Sequence, residues 1–136
     1  MLSEEIKENA TAIIMGILDN HGVRHCDRIN NRVCLIFCEY AGIHINIKIR
    51  VNGQVDAWTY TEKPVPTESR IFVLELLNTF HSANHEIQAY INEDNLIIFK
   101  KAFSCIESGS VSEHAISSNL EAFFGQTIHH KQIHSR

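Results

Sequence analysis

An alternation of side chains between positions 43 and 51 constrains the fold of this chain more than any other feature. Every second residue there is β-branched and apolar, and the residues between them are polar or charged. This period of two predicts a strand with one buried face and one solvated face. The strand leads into Asn52-Gly53, a pair typical of a two-residue type I′ turn, in which both central residues have a positive φ. We therefore predict a hairpin whose second strand runs from about Gln54 to Thr61.

Three segments carry the spacing of amphipathic helices. Apolar residues three and four apart predict a first helix over about residues 3–20. A second helix is predicted over about residues 67–82, with its first residue, a threonine, as the candidate cap. Ser110 and Glu113 form the pattern of a capping box, which predicts a third helix that weakens near Gly125.

The remaining strands are predicted from short apolar runs over residues 33–37, 86–91 and 96–103. The resulting order is α-β-β-β-α-β-β-α. Hairpins interrupted by single helices, without a β-α-β crossover, are typical of an α+β fold with a curled antiparallel sheet. We predict one α+β domain over residues 1–125, followed by a polar, frayed tail over residues 126–136.

Length and composition limit the class of protein. A chain of 136 residues, of which 44% are hydrophobic and 21% charged, can bury a core without disulfides or metals. The net charge is −4 and the longest basic run is Lys100-Lys101, which argues against a nucleic-acid partner. The N-terminal segment is acidic and helical rather than a signal peptide, and no apolar stretch approaches a membrane span. We therefore expect a cytoplasmic protein with no membrane partner.

The cysteines offer no recognisable chemistry. None of Cys26, Cys34, Cys38 and Cys105 belongs to a CxxC pair, and we expect all four to be buried small apolar residues. Cys34 and Cys38 share one strand face but lie too far apart for an easy disulfide. By residue type alone, Cys34 or Cys38 could form a nucleophile–base pair with a histidine. Neither cysteine, however, lies at a helix start or in a basic surrounding that favours the thiolate. We predict a protein that is not an enzyme, with no catalytic residues and no cofactor.

Nine histidines stand out in the composition, and His129, His130 and His134 lie near the C-terminus. If that end were helical, His130 and His134 would be one turn apart and could chelate a transition metal. A polar tail rarely supplies the fixed geometry that a metal site needs. We predict no metal site and keep His130 and His134 as weak candidates only.

Aromatic and apolar residues supply the candidate partner-binding surface. Trp58 and Tyr60 share one face of the predicted return strand, where they could pack beneath a helix, form an interface or groove, or receive a nucleic-acid base. Flanking Arg and Lys residues are not evident on that face, so we favour contact with protein, either the second helix or a partner. The second helix carries more apolar residues than packing against one sheet face can bury. This surplus adds Phe72, Leu76 and Phe80 to the candidate partner-binding residues.

The order of elements over about residues 3–124 resembles the type III secretion chaperone-like fold. More narrowly, the chain resembles the YbjN-type bacterial family, whose members are often labelled sensory transduction regulators. The likeness is sharpest at the helical segment FVLELLN, positions 72–78, and at the hairpin turn NEDN, positions 92–95. The resemblance implies a non-enzymatic domain, commonly a homodimer, with no established cofactor. Secretion chaperones are usually more acidic than this chain, and they wrap an extended segment of a client protein around exposed apolar grooves.

The hypothesis that follows is a regulatory or protein-interaction domain. It would be chaperone-like and homodimeric, and would bind another polypeptide through its sheet or an exposed helix face. The alternative is a small-ligand or metal-binding domain that uses the concave sheet face or the histidine-rich C-terminus.

Overall fold

The architecture is that of a computed structural model, which describes residues 3–29, 32–40, 43–61, 63–83 and 87–134. Its elements are α1 (Ser3–Asn20), β1 (Arg24–Ile29), β2 (Val33–Tyr40), β3 (Ile43–Arg50), β4 (Gln54–Tyr60), a 3₁₀ turn (Thr67–Ser69), α2 (Arg70–Ala83), β5 (Gln88–Ile91), β6 (Ile97–Ser104), β7 (Ile106–Glu107), β8 (Ser110–Val111) and α3 (Glu113–His134).

The six long strands form one antiparallel sheet in the order β1-β2-β3-β4-β6-β5, and β7 pairs with β8 in a separate hairpin. The predicted α+β class with an antiparallel sheet is therefore confirmed. The structure adds an edge strand, β1, ahead of the three strands predicted between the first and second helices. The sequence did not indicate β1 because this strand is polar on both faces and five of its six residues are exposed. Its pairing with β2 is nevertheless complete, from Arg24 opposite Glu39 to Ile29 opposite Cys34.

The β3–β4 hairpin is confirmed, but its turn is not of type I′. Arg50 and Gln54 end the two strands, so the loop has three residues, and the Gly53 N–H donates to the Arg50 carbonyl at 3.1 Å. Gly53 has a φ of 91°, whereas Asn52 is not among the described residues with positive φ. The Asn52 side chain instead accepts a hydrogen bond from the Gln54 N–H at 3.0 Å. This arrangement matches the three-residue class of hairpin, which has glycine at the third loop position.

The first core lies between the sheet and the helices α1 and α3. The isoleucines of β3 that alternate from Ile43 to Ile49 are all buried, as predicted. Residues of β4, α1 and α3 complete this core, among them Val55, Ala57, Ala10, Ile14, Leu18, Ile116, Leu120 and Phe123.

The second core lies under α2 at the other end of the same sheet face. Leu77 and Phe80 of α2 pack on Ala89, Ile97 and Phe99. The rings of Phe80 and Phe99 meet edge to face, with centroids 5.5 Å apart. Because Phe99 is the register partner of Thr59, which alternates with the buried Val55 and Ala57, α2 lies on the same side of the sheet as α1 and α3.

Two helix starts differ from the prediction. Thr67 opens a 3₁₀ turn whose N-cap is Pro66, without a side-chain cap, and α2 begins at Arg70. Ser110 lies in β8, and Ser112 caps α3 by accepting a hydrogen bond from the Ala115 N–H at 3.1 Å.

The third helix also ends later than predicted. It continues through Gly125 to His134, so most of the segment predicted as a tail is helical in the structure.

Candidate functional site: the open face of the sheet

The contacts of all three helices leave one face of the sheet open. Strand alternation and register place every second residue of six strands on this face. We call it the open sheet face. Its residues are Arg24, Cys26 and Arg28 on β1; Val33, Leu35, Phe37 and Glu39 on β2; His44, Asn46, Lys48 and Arg50 on β3; Gln54, Asp56, Trp58 and Tyr60 on β4; Gln88 and Tyr90 on β5; and Ile98, Lys100, Ala102 and Ser104 on β6.

Aromatic rings are exposed on this face. Phe37, Tyr60 and Tyr90 are 36%, 41% and 44% exposed, and Trp58 is half-buried. The interpretation that Trp58 and Tyr60 pack beneath α2 is therefore wrong. They point away from α2 because the opposite parity of β4 supplies the core, with Val55, Ala57 and Thr59 buried.

Cationic side chains share this face with the rings, which corrects the sequence-based view that the aromatic side lacks them. Trp58 is the register partner of Lys100, and Lys48 lies opposite both Leu35 and Asp56. The face carries five cationic side chains and two carboxylates, those of Glu39 and Asp56. The buried Asp56 carboxylate accepts hydrogen bonds from Arg50 Nη2 at 3.5 Å and Gln54 Nε2 at 3.3 Å.

A shallow depression of about 560 Å³ lies on the open sheet face, at the edge where β1 begins and β4 ends. Its volume is within the range of roughly 300–1,000 Å³ that small-molecule sites occupy. The groups that could contact a ligand combine a guanidinium, a carboxylate, an imidazole, an amide and two rings, and they belong to Arg24, Glu39, His44, Asn46, Phe37 and Tyr60.

A second exposed apolar surface lies on α2, and we call it the α2 outer face. It consists of Ile71, Phe72 and Leu74, of which the first two are 75% and 63% exposed. Leu76 is half-buried. Phe80 is only 5% exposed and belongs to the second core, so this candidate partner-binding residue is not on the surface of the monomer.

The cysteines divide into one exposed and three buried thiols, all free. The expectation that all four are buried fails at Cys26, which is on the open sheet face. Burial raises the pKa of the Cys38 thiol to about 11, and it also raises the pKa values of Cys34 and Cys105. A raised pKa disfavours the thiolate that a nucleophile needs.

The histidine candidates lie at the end of α3. Positions 130 and 134 are both helical, but their side chains lie outside the described part of the structure. In the part that is described, no cluster of three or more His, Cys, Asp or Glu side chains could hold a metal ion. His25 is engaged elsewhere, because its Nε2 lies 2.7 Å from Asp19 Oδ1 and joins β1 to the end of α1.

Comparison with solved structures shows a YbjN-like fold. The crystal structure of YbjN from E. coli, described as "a putative transcription regulator", aligns with a TM-score of 0.57 and 10% sequence identity. The alignment covers 86% of this chain and 84% of that chain. At this identity the similarity shows the fold alone. No protein-family model and no curated protein matches the sequence.

None of the described helices is both long enough and apolar enough to cross a bilayer.

Proposed function

We propose that this chain is a non-enzymatic regulatory or protein-interaction domain, a distant relative of YbjN that works in the cytoplasm as a homodimer. The observation that carries the proposal is the α2 outer face, where large apolar side chains are exposed on a short helix. The description of the YbjN structure as a regulator is consistent with this role. The raised thiol pKa values weigh against cysteine catalysis.

Ile71 and Leu74 of the α2 outer face, together with the charged residues beside them, form a self-complementary surface, which favours a second copy of the chain as its partner. Arg70, Ile71, Leu74 and Glu75 are all exposed and lie on one side of the helix, since residues three and four apart are neighbours. If two α2 helices meet antiparallel about a two-fold axis between positions 72 and 73, Ile71 of one copy faces Leu74 of the other. Arg70, whose Nη1 donates a hydrogen bond to Asn95 Oδ1 at 2.8 Å within the chain, then faces Glu75 at both ends of the contact. An isologous interface requires this kind of self-matching surface.

Light scattering coupled to size-exclusion chromatography tests the proposal. At micromolar concentration we expect a molar mass about twice the 15.5 kDa of one chain, falling toward one chain on dilution. A monomer across the concentration series would reject the homodimer.

A second candidate function is small-ligand binding, and the depression at Arg24, Phe37 and Tyr60 is the observation that favours it. Its lining, in which the Glu39 carboxylate lies opposite Arg24, suits a planar ligand whose anionic group contacts the Arg24 guanidinium. Thermal-shift screening of aromatic carboxylates and nucleoside monophosphates tests this candidate. Stabilisation that Arg24→Gln abolishes would support it.

A further inference from the structure

Folding gathers positive charge on one side of an acidic protein. The open sheet face carries Arg24, Arg28, Lys48, Arg50 and Lys100 against Glu39 and Asp56, an excess of three positive charges with histidine neutral. Because the whole chain has a net charge of −4, this excess leaves −7 for the remaining residues. A polyanion would therefore be attracted to this face and repelled from the rest of the molecule.

The rings on this face lie in two adjacent rows, with cations beside them. One row across the sheet runs through five register partners on β2, β3, β4, β6 and β5, namely Phe37, Asn46, Trp58, Lys100 and Gln88. In the next row, Ile98 lies between Tyr60 and Tyr90. Lys100 thus lies directly beside Trp58, on strands about 4.8 Å apart, and Arg28 and Lys48 lie in the row on the other side of Phe37 and Trp58.

The combination of separate rings with nearby cations favours one of two kinds of anionic partner. A docking site for the apolar side chains of a peptide needs a long continuous apolar groove, whereas Asn46 separates Phe37 from Trp58 here and the apolar row of Tyr60, Ile98 and Tyr90 spans only three strands. A single-stranded nucleic acid instead presents flat bases that stack on separate rings, and phosphates that meet cations beside those rings. The amides of Asn46 and Gln88 can hydrogen-bond to base edges.

We propose that the open sheet face binds single-stranded nucleic acid. Bases stack on Phe37, Trp58, Tyr60 and Tyr90, and the Lys and Arg side chains around them contact the phosphates. The depression beside Arg24 gives one nucleotide a recessed position at the edge where β1 begins and β4 ends. This site is separate from the α2 outer face, so nucleic-acid binding and homodimer formation can be tested independently.

The chain offers a built-in reporter, because Trp58 is its single tryptophan. The experiment titrates the purified full chain with single-stranded oligothymidylate and oligouridylate of roughly 15 nucleotides, near the upper site size of a single-strand-binding domain. We expect quenching of Trp58 emission that saturates together with the anisotropy of a labelled oligonucleotide. With three or four phosphates neutralised, the slope of log K against log salt should be about −2 to −3.

Matched variants locate the site. Tyr60→Ser should weaken binding about tenfold, whereas Tyr60→Phe, which keeps the ring, should bind nearly as the wild type does. The double variant Lys48→Gln/Lys100→Gln should make the salt slope shallower by about 1.4. Phe72→Ser and Lys63→Gln remove an exposed ring and an exposed cation elsewhere, and should leave binding unchanged.

Three outcomes would overturn the proposal. The first is the absence of both quenching and anisotropy change at low salt. The second is equally tight binding of polyglutamate, a polyanion without rings, which would identify an acidic polypeptide as the partner. The third is equally tight binding of duplex DNA, whose stacked bases cannot reach the rings.

Discussion

Gly53, in the β3–β4 turn, lies directly against Ile106 at the start of the β7–β8 hairpin. A Cβ atom at position 53 would lie 2.6 Å from Ile106 Cγ1. The Gly53 carbonyl also accepts a hydrogen bond from the Cys105 N–H at 2.9 Å. The turn is thus a packing point that joins the sheet to the small hairpin preceding α3.

Gly53→Ala should lower the free energy of unfolding by about 2–4 kcal/mol, since a positive φ and a steric overlap act together. Chemical denaturation of the variant measures the effect. Gly22→Ala is the matched control. Gly22 also has a positive φ, but a Cβ atom added there would meet no atom within 4 Å beyond the neighbouring residues. Its cost should be only about 1 kcal/mol. Equal costs for the two variants would contradict the packing role.

Ser112→Ala should destabilise the protein by about 1 kcal/mol, because the Ser112 hydroxyl caps α3 and also donates to Glu107 Oε2 at 3.1 Å. Ser110→Ala is its control and should be nearly neutral, since Ser110 is an exposed residue of β8. Thermal denaturation of both variants compares the cap seen in the structure with the cap that the sequence pattern indicates. A larger effect at Ser110 would favour the sequence pattern.

The buried thiol of Cys38 should make the protein less stable at high pH. Its folded pKa of about 11 exceeds the ordinary value of 9.0 because burial disfavours the thiolate. Below pH 9 the Cys38 thiol is protonated in both the folded and the unfolded protein, so its contribution to the free energy of unfolding is fully present. Between pH 9 and 11 the unfolded state ionises first, and up to about 2–3 kcal/mol is lost.

The measurement for Cys38 is the free energy of unfolding at pH 8 and pH 11 for the wild type and Cys38→Ala. The variant should lose less stability over this interval, although it starts from a lower value because of the cavity it creates. Parallel pH profiles for the two proteins would show that the Cys38 thiol does not titrate as described.

Reversing the charge of Glu75 should weaken the proposed dimer, and reversing Arg70 as well should restore it. In Glu75→Arg, two arginines face each other at both ends of the α2 contact. In Arg70→Glu/Glu75→Arg, the attraction returns with the opposite orientation. Exposed ion pairs are worth about 0.2–1 kcal/mol each, so the dimer dissociation constant should change several-fold. Sedimentation equilibrium measures it, and additive weakening in the double variant would contradict the predicted pairing.

Periodicity revealed most of the fold. The isoleucines of β3 and the apolar spacing of α1 were sufficient because one face of each element is buried and the other is solvated. The strand β1 escaped detection because an exposed edge strand has no apolar period. The cap of α3 was misplaced because Ser110 and Ser112 both precede the helix, and only the geometry of the β7–β8 hairpin distinguishes them.

The open sheet face could not be found from the sequence in the same way. Its cations come from strands distant in the chain, and each strand contributes only one or two, so no basic run appears. Trp58 and Tyr60 were correctly placed on one strand face, but the sequence could not show whether a helix covers it. That depended on α2 packing beside β5 and Phe99, on the side occupied by α1 and α3.

In the proposed function, the α2 outer face is the surface through which this chain contacts another polypeptide. The most direct test is the molar mass by light scattering of the wild type, Ile71→Ser and Tyr60→Ser, side by side at the same micromolar concentration. We expect a dimer of about twice 15.5 kDa for the wild type and Tyr60→Ser, and a monomer for Ile71→Ser. A dimer that survives Ile71→Ser but is lost in Tyr60→Ser would contradict this proposal and place the contact on the sheet.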